Sequence, residues 1–230
     1  MILSTFNFSR AYGFLLVVLA AMLIGARVVP AAAQQSAQAA VSPAATMSVK
    51  SIIDQSIVVF KDQQISAADR EKKLREIAER HFDFEEMSRS AVGYHWRDFT
   101  PAQKSEFVPL FTAFIEDAYL SRIETYSVEK VNQQIQTSKI QFTKETSDGP
   151  DYAEVFSNVA LQDQANPVQV NYMMRRDNNE WKIYDLSIDA ISVIANYRNQ
   201  FNRVLNSDGY DKLVSIMRQK TEGLRKTMAN

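Results

Sequence analysis

Two histidines, His81 and His95, and no cysteine leave little room for catalytic chemistry in this chain of 230 residues. Without thiols there is no disulfide framework, no thiolate metal site and no cysteine nucleophile, and no cysteine is present to carry an acyl anchor. His81 lies close in sequence to Asp83, Glu85 and Glu86. Neighbouring carboxylates on a helix point to different sides, however, and make a poor cup for an ion, so we expect a partly exposed histidine at a helix end and no metal. No GxSxG elbow, P-loop, GxGxxG or HExxH occurs, and with six glycines in all a phosphate-cradling loop is not expected. What remains is an acid–base pair, Asp185 or Asp189 with Tyr184, set against a structural pairing of Asp185 with Arg198. We expect no catalytic residue and no cofactor.

The chain is rich instead in apolar bulk, with thirteen Phe, nine Tyr, eight Met and two Trp. Such residues build either a closed core or a pocket for an aliphatic ligand. The stretch Glu180 to Phe201, EWKIYDLSIDAISVIANYRNQF, decides where either would lie. Trp181, Ile183, Tyr184, Leu186 and Ile188 read as a strand with apolar residues on both faces. The spacing then changes to that of a helix, with Ile191, Ile194, Arg198 and Phe201 on one row and Val193 and Tyr197 beside them. A buried strand running straight into an amphipathic helix marks the place where sheet meets helical cover, and a cavity could be held open there.

The elements that must position this junction follow from the local pattern. Residues 48–63 set Val49, Ile52, Ile53, Ile57 and Phe60 at helical spacing behind Ser48. A second helix is expected from Ser66 to His81, with Leu74, Ile77 and Ala78 inward, and a short one from Asp83 to a stop at Gly93. Thr100-Pro101-Ala102-Gln103 is a strong helix start, with a capping threonine, proline at the first position and a glutamine able to close a capping box. The helix that follows carries Phe107, Leu110, Phe111, Phe114, Ile115, Ala118, Tyr119 and Ile123. Pro109 within it either kinks the helix and leaves space beneath or lies on a helix that curves round its core. Past Tyr126 the pattern turns to β: Val128–Thr143, a turn at 147–150, Tyr152–Gln162, Val168–Arg176, and the strand of the junction. Short turns between consecutive strands imply an antiparallel meander. Asp208-Gly209 then breaks the last helix. The expected fold is α+β: a four-stranded twisted antiparallel sheet over about residues 128–188, packed by N-terminal and C-terminal helices that enclose a hydrophobic pocket.

The N-terminus carries its own signal. Arg10, the apolar run Ala11 to Ile24, and Ala31-Ala32-Ala33 before Gln34 read as a cleavable signal peptide over residues 1–33; the run is short of the roughly 20 residues that span a bilayer. Residues 34–47 read as a flexible Ala/Gln/Ser/Pro tail and 48–224 as a single domain. The formal charge of −1 becomes −3 without the leader, which holds Arg10 and Arg27 and no acids. That gives no electrostatic argument for nucleic acid or for a polybasic membrane anchor.

In its exported leader and in these stretches, the sequence resembles the MlaC family of periplasmic phospholipid carriers, the toluene-tolerance auxiliary family. The match rests on FDFEEMSRSAVGYHWRDFTPAQKSEF at 82–107, on VQVNYMMRRDNNEWKIYDLSIDAISVIANYRNQF at 168–201, and on Asp208-Gly209-Tyr210; it covers about residues 49–222. Ala190 stands where the family pattern has glycine. The resemblance implies a monomeric periplasmic shuttle that sheathes the acyl chains of a diacyl phospholipid. It also implies two partners, an outer-membrane lipoprotein–porin complex and an inner-membrane ABC transporter complex with an MCE-domain ring. A hopanoid-associated carrier of the same family is the variant, and a small-molecule enzyme or an all-core interaction module are the competing readings. The expected lining is Phe107, Phe111, Phe114, Ile115 and Tyr119 from the long helix, Val155, Val159, Val170, Tyr172 and Met174 from the sheet, and Trp181, Ile183, Ile191, Ile194 and Tyr197 from the junction. They would enclose a pocket of roughly several hundred Å3.

Overall fold

A computed structural model describes residues 44–119, 138–161 and 165–228, with side chains through residue 223. Helices α1 (Ala44–Lys61), α2 (Ala67–His81), α3 (Phe84–Val92) and α4 (Pro101–Tyr119) precede five strands. The strands are β1 (Lys139–Asp148), β2 (Tyr152–Ala160), β3 (Val168–Asp177), β4 (Glu180–Ile188) and the two-residue β5 (Ile191–Ser192). The last helix, α5 (Val193–Met228), is broken at Gly209, whose φ of 78° is non-helical. The strands form one antiparallel sheet in chain order, so the α+β class holds, with a fifth short strand added.

Local chemistry sets most element boundaries. Ser66 accepts from the Asp69 amide at the start of α2, and Asp83 accepts from the Glu86 amide at the start of α3. Thr100 and Gln103 bond each other's amides, Thr100 N to Gln103 Oε1 at 2.9 Å and Gln103 N to Thr100 Oγ1 at 3.2 Å, a closed capping box. Two boundaries differ from the sequence reading. Helix α1 starts at Ala44, ahead of Ser48, where Glu145 of β1 accepts from the Thr46 amide at 2.8 Å and from its hydroxyl; a carboxylate from a distant strand satisfies amides that the first turn leaves free. The first strand runs on to Asp148. Its second half, TKETSD, is polar on both faces, which suits a sheet edge and hides the strand from a hydrophobic pattern. Residues 128–137, expected to start this strand, lie outside the described residues, as do residues 1–43 with the expected leader and most of the expected tail.

The apolar residues sort into two cores. One lies between the sheet and α1 with α2, and includes Ile52, Phe60, Leu74, Val155, Tyr172, Met174 and Ile183. The other lies among α3, α4 and α5, around Met87, Phe107, Phe111, Phe201 and Leu213. Strand β4 packs against α1, α2, α3 and α5 and thus joins both. A register shift after Met173 sets Met174 opposite Ile183 and Met173 opposite Asp185. The bulge places Ile183 and Leu186, an odd number of residues apart, in the same core. It also turns Asp185 towards α5.

His81 closes α2, half-buried and bonded to Gln55. Burial, with Arg80 and Lys182 nearby, outweighs Glu180 and pushes its pKa below the usual 6.5. The folded state therefore holds fewer protons than the unfolded chain between its pKa and 6.5, and the stability this group supports is lost as pH falls through that window. His81→Gln is expected to flatten the fall in thermal midpoint as the pH drops below 6.5, as read by circular dichroism melts.

Candidate binding cavity

Between the two cores lies an apolar slot with walls from six elements. Ile52, Ser56 and Phe60 come from α1, and Leu74, Ile77 and Ala78 from α2. Phe82, Phe84 and Met87 come from the turn into α3 and α3 itself, Ile115, Glu116 and Tyr119 from the end of α4, Asp185 and Leu186 from β4, and Val193 and Ile194 from the start of α5. The cavity volume is about 90 Å3, within about 880 Å3 of atom-free space that includes its open mouth. That is a narrow slot, smaller than the pocket the sequence reading expects.

Each wall has a local cause. In α1 the stripe Ile52, Ser56, Phe60 repeats every four residues, so one helix face meets the slot; Ser56 donates to the Ile52 carbonyl at 2.9 Å and is satisfied within its own helix. The α5 wall is pinned by Asp185, which accepts from the Leu186 amide at 2.7 Å, from the Ile194 amide at 3.0 Å and from the Ser192 hydroxyl. Ser192 in turn accepts from the Ala195 amide at 2.8 Å. Burial pushes the Asp185 carboxyl up, and these three donors draw it partly back. Its oxygens are committed to starting a helix, a structural role. Tyr184 packs edge-on against Tyr152 at 5.9 Å and Asp189 accepts from the Gln169 amide at 3.0 Å, so the three groups of the acid–base reading have separate partners. Arg198 donates to the Ser90 carbonyl in the last turn of α3 and lies against Gly93. Asp185→Ala is expected to lower stability by about 2–4 kcal/mol, from the loss of hydrogen bonds to a charged group, as measured by urea unfolding.

The expected lining residues divide four ways. Ile115, Tyr119 and Ile194 face the slot. Phe107, Phe111, Phe114 and Tyr197 instead close on Phe201 in the helical core, with ring centroids 5.7–6.4 Å from it; the Tyr197 hydroxyl reaches that of Tyr119. Val155, Val159, Val170, Tyr172, Met174 and Ile183 lie in the sheet core, because α1 lies over that sheet face. Trp181 is half-buried against the same core, under the Arg176 guanidinium at 4.7 Å. Ile191 is 55% exposed, since β5 is a two-residue edge strand. Pro109 is exposed, away from the slot, which borders only the last turns of α4. The α1 and α2 walls were missed as lining. Their signal is visible in retrospect as Ser56 inside an apolar stripe and as Ala78, a small residue on an inward face.

A charged cluster adjoins the slot at Glu116. Arg75 of α2 reaches Glu116 at 2.8 Å and Asp117 at 2.7 Å, both on α4, as well as Glu71 at 2.6 Å on its own helix. Helix α2 belongs to the sheet-side core and α4 to the helical one, so Arg75 ties the two halves together beside the cavity. Burial pulls its guanidinium pKa down, but the carboxylates around it more than reverse that and keep it charged. Among the described residues no cluster of three or more metal-binding side chains occurs, and no helix is long and apolar enough to cross a membrane.

Comparison with known proteins decides the lineage. A family model described as "MlaC protein" matches residues 50–219. The chain belongs to the MlaC family. The intermembrane phospholipid transport system binding protein MlaC of Haemophilus influenzae is 25% identical over 141 residues, 60% of this chain and 62% of that protein; the chain thus spans somewhat less than two thirds of the curated relative it matches. A phospholipid-binding protein from Ralstonia solanacearum, solved in complex with a phospholipid at 1.53 Å, superposes with a TM-score of 0.63 at 20% identity. The match covers 79% of this chain and 98% of that one, and it shows that the two share the MlaC fold.

Proposed function

We propose that this MlaC-family protein is a periplasmic carrier that sheathes the acyl chains of a diacyl phospholipid in the slot between its two cores. It would pass the lipid between an outer-membrane lipoprotein–porin complex and an inner-membrane ABC transporter complex. The observation that carries the reading is the slot itself, open at one mouth, walled by helices and β4 and lined mostly by aliphatic and aromatic side chains. Burying a methylene is worth about 0.8 kcal/mol, so two chains of roughly 15 methylenes amount to at most about 24 kcal/mol. A free lipid does not cross water at a useful rate against that, and a carrier must enclose the tails. Ile115, Tyr119 and Ile194, with Phe60, Ala78 and Leu186, are the contacts we assign to them.

The slot's width adds a condition. Two chains need α2 and α4 to part, so the sheet-side and helical halves must be able to move relative to each other. The Arg75 tie is the place where that motion is resisted. Transport needs no catalysis by this chain, and Asp185, the best-placed carboxylate, is occupied as a helix cap. Native mass spectrometry and organic extraction of the protein purified from the periplasm test the proposal. One diacyl lipid per chain is the expected result; protein that is lipid-free and takes up no lipid from vesicles contradicts it. The charged cluster and apolar walls give no specific argument for a hopanoid.

A further inference from the structure

The wall of the slot offers an occupant hydrocarbon and little else. Ser56 donates within α1, the Asp185 oxygens start α5, the Tyr119 hydroxyl bonds that of Tyr197, and Glu116 bonds Arg75. Selection inside the slot therefore falls on the shape of an apolar ligand. Ile52, Ser56 and Phe60 lie along the slot on one face of α1, so it runs for at least about 12 Å at a rise of about 1.5 Å per residue. The cavity volume of about 90 Å3 is the space open to the centre of a water-sized group. Spread over that length, it is a thread about 3 Å across. Two hydrocarbon chains in contact keep their axes about 4 Å apart. One chain fits between the walls as they stand, and two side by side do not.

Room for a second chain has to come from the side where the walls are least joined. Strand β4 packs against helices of both halves, and among the described residues α2 packs closely on α1 but not on α4. The line between α2 and α4 is the one that can open, and the Arg75 tie bridges it. Its guanidinium holds Glu116 at 2.8 Å and Asp117 at 2.7 Å. Widening by about 4 Å takes such bonds well past the roughly 3.5 Å at which a hydrogen bond is lost. The arginine stem is not free to follow α4, because Glu71 on its own helix holds the same guanidinium at 2.6 Å.

We infer that the closed slot is a site for a single acyl chain: the protein takes monoacyl amphiphiles of the lysophospholipid type with the Arg75 tie intact, and a diacyl phospholipid enters only as that tie opens. This rests on the carrier reading of the slot. The same cavity then serves two ligand classes in two states, and the number of chains, not the headgroup, decides which state is used.

A distance measurement between α2 and α4 tests this. Lys73→Cys and Ser105→Cys lie on exposed sides of the two helices, and the chain has no cysteine of its own, so each variant site takes one nitroxide spin label. Double electron–electron resonance reads the label separation in the purified mature protein stripped of lipid, loaded with oleoyl lysophosphatidylcholine, and loaded with dioleoyl phosphatidylcholine. Native mass spectrometry counts the bound molecules. The two lipids share headgroup and chain type, so chain number alone separates them. The dioleoyl lipid is expected to lengthen the separation by about 3–5 Å, and one bound lysolipid to leave it within about 1 Å of the lipid-free value. The same displacement with both lipids, no displacement with the dioleoyl lipid bound, or binding of the dioleoyl lipid without any binding of the lysolipid overturns the single-chain site alone. A protein that binds neither lipid overturns the carrier reading and this inference with it.

Discussion

Tryptophan in place of Ala78 should leave a folded protein that no longer carries lipid. Ala78 lies on the slot-facing side of α2 with Leu74 and Ile77, and the cavity volume is only about 90 Å3. An indole there occupies the space along which a hydrocarbon chain must run. The cost to the fold is modest, because the added bulk extends into the slot and not into a filled core. Overpacking of this kind costs about 1–3 kcal/mol against the 5–15 kcal/mol typical of a domain. We expect at least a tenfold fall in co-purified lipid, with the circular dichroism spectrum retained. Lys73→Trp, on the exposed side of the same helix, is the control and should keep its lipid. If the Ala78→Trp protein carries the wild-type amount, the chains lie elsewhere.

The second large effect concerns Arg75. Arg75→Met keeps an unbranched apolar stem and removes a cation that pairs with Glu116, 7% exposed, and Asp117, 1% exposed. Removing one partner of a buried ion pair leaves the other charge uncompensated and costs about 3–5 kcal/mol. Because Arg75 itself reaches solvent, the low end applies, about 3 kcal/mol, or a fall of roughly 6–12 °C in thermal midpoint for a domain of this size. Adding Glu116→Gln and Asp117→Asn to Arg75→Met should restore much of that, since the residues act as one network. The same tie spans the line along which the halves must part. Arg75→Met is thus also expected to speed lipid exchange with vesicles, whereas destabilisation without faster exchange would limit Arg75 to a structural role.

The parts of this fold that were legible in the sequence are those whose signals are local. Thr100 and Gln103 announce their capping box within four residues, Asp83 and Ser66 cap their own helices, and β2 alternates buried and half-buried residues from Ala153 to Val159. The change of period from Leu186 to Ile194 correctly placed the joint between sheet and helix, and the slot lies beside it. What stayed hidden depends on contacts between distant segments. No local pattern shows that Glu145 reaches Thr46 across the sequence, or that a bulge at Met173 turns Ile183 and Leu186 to one side. The aromatic stripe Phe107, Phe111 and Phe114 suits a pocket wall and a closed core equally well, and only the position of Phe201 settles that it is core. The lining from α1 and α2 was missed for the same reason: a helical stripe names the inward face, not what lies opposite it.

Ala190 illustrates a departure that the fold absorbs. It sits with Asp189 in the turn between β4 and β5, and both have positive φ, 66° and 46°, a conformation that glycine adopts more readily. The family pattern's glycine belongs in such a place, yet α5 still starts correctly, because Asp185 and Ser192 bond its first amides.

In a working carrier, the hydrocarbon tails should lie between the two cores. A phospholipid carrying a photoactivatable diazirine at the end of one acyl chain, loaded into the protein and irradiated, tests it most directly when the labelled residues are mapped by mass spectrometry. Labels on the slot's walls, among Ile52, Phe60, Leu74, Ile115 and Leu186, are expected. Labels confined to exposed side chains such as Val58, Tyr94 or Ile191 would contradict it.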